Sequence, residues 1–98
     1  MSEAVQELAG RFAAIAVCIE GGEPSERLLT LLREAQAACE QAADAAPQGE
    51  LKDWLVNLRA ATETWQQVWP RLGAQRDFRL AVAREARLWS KRFSAVER

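Results

Sequence analysis

Apolar residues recur at three- and four-residue steps in four separate stretches of the chain, and turn-forming residues divide them. In the first stretch Val5, Leu8, Phe12, Ile15 and Ile19 lie on one stripe of a helix expected over about residues 3–20. Ala9, Ala13, Ala16 and Val17 widen that stripe, which marks this helix as the most buried of the four. Gly21–Gly22 ends it, as glycine does just past a helix. Pro24 and Ser25 open a second helix over about 25–45, with Ser25 as the expected cap. Its stripe of Leu28, Leu32, Ala35, Cys39, Ala42 and Ala46 thins from leucine to alanine, which implies close helix approach.

The segment Ala45-Ala46-Pro47-Gln48-Gly49 breaks the second helix. A third, over about 50–69, carries Leu51, Trp54, Leu55, Leu58, Thr62, Trp65 and Trp69 on one broad face. It is expected to stop at Trp69, because a residue before proline disfavours the helical conformation. The fourth, over about 74–96, places Phe78, Val82, Ala86, Trp89, Phe93 and Val96 at helical spacing. No stretch shows the alternation of a strand. Long helices joined by short loops make neighbours antiparallel, so residues 1–98 read as one all-α domain, an up-down-up-down four-helix bundle. A homodimer of two hairpins satisfies the same pattern. Folding the last two helices together near Leu72 sets Trp54 opposite Trp89, Leu51 opposite Phe93, Leu58 opposite Ala86 and Trp65 opposite Phe78.

Composition then removes most chemistry. The chain has no histidine, the commonest acid/base catalyst and zinc ligand. Cys18 and Cys39 are the only cysteines, without a CxxC pair. With a hairpin turn at Gly21–Gly22, Cys18 faces about Arg27, which leaves Cys39 roughly 18 Å further along its helix. A disulfide needs Cα atoms within about 7 Å, so two buried thiols are expected. Glu3/Glu7 and Glu40/Asp44 stand four apart but off the apolar stripes, as surface acids do. Ser90 and Ser94 have no histidine to act as base, and no nucleophile elbow, phosphate loop or zinc-protease motif occurs. The reading is a non-enzymatic protein with no cofactor and no metal.

No leader or membrane anchor is expected. Residues 1–9 carry Glu3 and Glu7 without a basic cluster, and the longest apolar run, Phe12 to Ile19, has eight residues against the ~20 that span a bilayer. The expected location is the cytoplasm.

Charge supplies the one functional hint. Residues 1–50 hold three arginines against nine acids, while residues 51–98 hold ten basic residues against five acids. On a helical wheel Arg76, Arg84, Arg87, Lys91 and Arg98 fall within about 80° of one another, opposite the apolar stripe. Leu80 lies in the middle of that basic face and Leu88 at its edge. Arginine around an exposed leucine is a composition favoured at protein interfaces. Trp54, Trp65 and Trp89 are expected in the core, and Trp69, beside Pro70 at the bundle's end, is expected to be partly exposed and to join the binding face. The first functional expectation is an adaptor, chaperone-like factor or small subunit that binds a protein partner or a second copy of itself. The alternative is an accessory nucleic-acid binder using the same face, against which stands a net charge of −1 for the whole chain.

Overall fold

The computed structural model describes residues 2–22 and 24–96. Four helices, α1 (Ser2–Glu20), α2 (Ser25–Ala45), α3 (Glu50–Leu72) and α4 (Arg76–Ala95), pack as an antiparallel bundle 38 Å long. The end of α3 and the start of α4 lie further along the chain than expected, and the other helix ends agree within one residue.

Local chemistry explains the turns. Gly21 N–H donates to Val17 O at 2.8 Å, and Gly22 takes the left-handed φ of 69° that glycine adopts without a Cβ clash. At the start of α2 Pro24, not Ser25, holds the cap position. Its carbonyl accepts the N–H groups of Arg27 and Leu28, and no side chain caps the helix. Ser25 is already helical, one residue past Pro24, whose extended ψ of 147° is that of a cap residue.

The end of α3 corrects a second expectation. The helix runs through Pro70 to Leu72, and Gly73 N–H closes the final turn on Trp69 O at 2.7 Å. A proline inside a helix costs about 3 kcal/mol. Burying a tryptophan removes roughly 150–250 Å² from water, worth about 4–6 kcal/mol at 25 cal/mol/Å². Continuing the helix keeps Trp69 pointed inward, where it is only 5% exposed and packs on Phe78 with centroids 5.3 Å apart. Burial of the indole outweighs the cost of the proline.

Side-chain size sets which helices lie close. α1 packs along α4 and α2 along α3, whereas the consecutive helices α3 and α4 touch least. Ala9 and Ala16 of α1 face a helix carrying Ala83, Ala86 and Ser90, all small enough for close approach, and Ser90 Oγ donates to Ala9 O at 2.8 Å. Small buried residues of α2, Ala35, Cys39 and Ala43, let it lie close along α3, and Gln66 Nε2 donates to Gln36 Oε1 at 2.6 Å. Between α3 and α4 tryptophans hold the axes apart. Trp54 meets Trp89 as expected, with centroids 5.4 Å apart. The other aromatic pairs are shifted by one turn: Trp54 also meets Phe93, and Trp69 rather than Trp65 meets Phe78.

All four helices contribute to the core, with Phe12, Ile15, Leu32, Ala86 and Phe93 fully enclosed. Thr62 is the one buried polar residue among those described, and its hydroxyl donates to Leu58 O at 2.9 Å, as threonine does within a helix. Val17 departs from the reading of α1, since it is 56% exposed on the outer side of that helix. Cys18 and Cys39 are buried and not disulfide-bonded.

Candidate functional site

The inward side of α4 is occupied by Val82, Ala83, Ala86 and Phe93, which turns the opposite side of the helix to solvent. Arg76, Leu80, Arg84 and Leu88 follow one another at four-residue steps and form a single ridge along that outer side. All four are exposed, Leu80 by 43% and Leu88 by 39%, and they include the only exposed leucines among the described residues. Lys91, also exposed, lies beside the ridge. Arg98 lies outside the described residues.

The six described cations of α4 divide into two groups. Arg79 turns back to the α3–α4 loop and donates to Gly73 O and Ala74 O, at 3.1 and 2.7 Å. Arg92 lies over the Trp89 ring at 4.6 Å, a cation–π contact that shields the half-buried indole. Arg87 grips Glu20 of α1 with two hydrogen bonds, Nε to Oε2 at 2.9 Å and Nη2 to Oε1. This bidentate pair holds the Glu20 carboxyl below the usual carboxylate range and raises the Arg87 guanidinium, first through the hydrogen bonding itself. Arg76, Arg84 and Lys91 form no ion pair with any described residue. The helical wheel groups Arg87 with them but has no means of seeing Glu20, which is 67 positions away in the chain.

Trp69 leaves the site altogether. It is buried for the reason given above, and Gly73 makes room for it, since a Cβ at that position would lie 2.5 Å from the indole Nε1. The three tryptophans assigned to the core, Trp54, Trp65 and Trp89, are half-buried instead, along the wider seam between α3 and α4.

Chemistry elsewhere is sparse. The acid pairs lie on the surface, where Glu7 approaches Arg11 at 3.7 Å and Glu40 accepts from Arg59 at 3.0 Å. Ser90's hydroxyl is committed to the α1 backbone. Among the described residues no three metal-ligating side chains converge, and no helix is long and apolar enough to cross a membrane. A cavity of about 510 Å³, which helical periodicity does not predict, opens at the end of the bundle and is lined by Val5, Ala42, Ala46, Leu51, Leu55 and Val96. Its signal is the alanine run at the end of α2, where small side chains leave space that no neighbour fills. Comparison with protein-family models, with curated proteins and with solved structures yields no match.

Proposed function

We propose that this chain is a non-enzymatic helical-bundle module, an adaptor, chaperone-like factor or small subunit, that binds a protein partner through the outer face of α4. The supporting observation is the Arg76–Leu80–Arg84–Leu88 ridge, in which exposed leucines alternate with arginines that pair with no acid among the described residues. Arginine contributes strongly at interfaces because its planar head makes several hydrogen bonds while its stem covers apolar surface. An isolated exposed leucine is ordinary, but two on one ridge beside uncompensated cations form a surface with both an apolar and an electrostatic component. The location proposed with this reading is the cytoplasm.

The test is capture from native lysate at low salt, with half the sample nuclease-treated, comparing the wild type with the double variant Arg84→Glu, Lys91→Glu. Both side chains are exposed and pair with no described acid, so reversal leaves helical content unchanged by circular dichroism. Arg87 is a poorer choice, because its reversal would also break the Glu20 pair between α1 and α4. Loss in the variant of a stoichiometric, nuclease-resistant partner is expected. Capture that survives the reversal would overturn the proposal, and a band lost only on nuclease treatment would reassign the face to phosphate contact.

A further inference from the structure

We infer that the occupant of this face is an acidic amphipathic helix presenting carboxylates and apolar side chains alternately, four residues apart. This rests on the reading of α4 as the binding face and specifies the chemistry of what binds there. Spacing is the first ground. From Arg76 to Leu88 is twelve residues, about 18 Å of helix, with a change from cation to leucine at every step of about 6 Å. Residues four apart form the ridges by which one helix seats in the grooves of another. A complementary ridge on a partner helix sets an acid against each of Arg76 and Arg84 and an apolar side chain against Leu80 and Leu88, with Lys91 available to a further acid.

Other occupants fit less well. A strand cannot add here, because the backbone groups of α4 are hydrogen-bonded within the helix and offer no ladder. A second copy would present the same ridge, which carries cations and leucines but no carboxylate to set against Arg76 and Arg84. A phosphate backbone would satisfy the cations but leave Leu80 and Leu88 against a polyanion, with no apolar surface to cover them. A helix carrying both acids and apolar groups answers both components of the ridge.

The probe is a fluorescein-labelled peptide of about 24 residues, long enough to populate helix. It carries Glu and Leu alternately at every fourth position and Ala and Gln elsewhere. Two controls accompany it, an isomer with Glu and Leu on opposite faces and a version with Lys in place of Glu. Anisotropy titrations against the full chain should show the acidic ridge peptide binding roughly tenfold tighter than either control, a few modest ion pairs' worth. Its affinity should fall between roughly 50 and 200 mM salt. The Arg84→Glu, Lys91→Glu variant should prefer the Lys peptide instead. Equal binding of the two isomers, equal binding of the Lys peptide, no binding of the acidic peptide, or its displacement by a short single-stranded oligonucleotide would each overturn the inference. The two claims fail separately. If partner capture is lost on charge reversal while the acidic peptide shows no preference, only the partner's chemistry is wrong. If capture survives the reversal, the face itself is wrong.

Discussion

Gly73→Ala is the sharpest probe of the packing that withdraws Trp69 from the surface, because the sign of its effect depends on that packing. Gly73 has φ −63° and ψ −20°, a helical conformation that alanine adopts freely. Were the site open, the substitution would stabilise the fold by about 0.4–1 kcal/mol by restricting the unfolded chain. In the structure the added Cβ meets Trp69 Nε1 at 2.5 Å, Cδ1 at 2.7 Å and the Trp69 carbonyl oxygen at 2.7 Å. The indole also packs on Phe78, so it cannot simply swing away. Overpacking of this kind costs about 1–3 kcal/mol, which exceeds the entropic gain. The expected net effect is destabilisation by about 1–2 kcal/mol. Urea unfolding followed by circular dichroism reads it directly, and Tm should fall by roughly 4–8 °C per kcal/mol in a domain of this size. In a double-mutant cycle with Trp69→Leu, Gly73→Ala should cost less than in the wild-type background, because the indole contacts are gone while the contact with the residue-69 carbonyl oxygen remains. A Gly73→Ala protein more stable than wild type would refute the placement of Trp69.

Three further outcomes follow from the same structure. Phe93→Ala should destabilise by about 3–5 kcal/mol in urea unfolding, because Phe93 is fully enclosed and touches Phe12, Trp54 and Trp89. Burial pushes the Cys39 thiol up to about 12, so it should resist a thiol reagent near pH 8 until denaturant is added. Because that folded value is raised, its contribution to stability is intact below the unfolded thiol's range and declines as pH climbs toward 12. Glu20 runs the other way: its depressed carboxyl favours the fold at neutral pH, and the benefit disappears as pH falls through its folded value. Glu20→Gln should therefore flatten the acid limb of the stability profile in low salt, and an unchanged limb would show that the Arg87 pair contributes nothing.

How much of the fold and the surface is legible in the residues varies with the range of the interaction. Leu80 and Leu88 fall outside, as the helical wheel has them, because exposure on a helix follows from angle alone once the apolar stripe is known. The same angle puts Arg84 and Lys91 with them, and no described acid competes for either. Arg87 shares the angle but not the surroundings, since its partner comes from α1. Arg92 is invisible to the wheel because its role depends on the nearby Trp89 ring being half-buried and within reach. Trp69 shows a local rule outweighed: Pro70 favours a helix end, and burial of the indole favours continuation more strongly.

By itself the order of residues determined four amphipathic helices and the side each turns to solvent, along with the poverty of catalytic groups. Periodicity and composition are properties of the chain alone, and an apolar stripe must be buried whatever covers it. Only the tertiary structure decided which helices lie close. Alanine and serine bring α1 against α4 through the Ser90–Ala9 contact, while tryptophans hold α3 away from α4. The same packing buried Trp69, paired Arg87 with Glu20, and left Arg76, Arg84 and Lys91 exposed and without an ion pair among the described residues. The physical reason is that pairing and burial depend on distance in space, and residues 67 positions apart become neighbours only when the chain has folded.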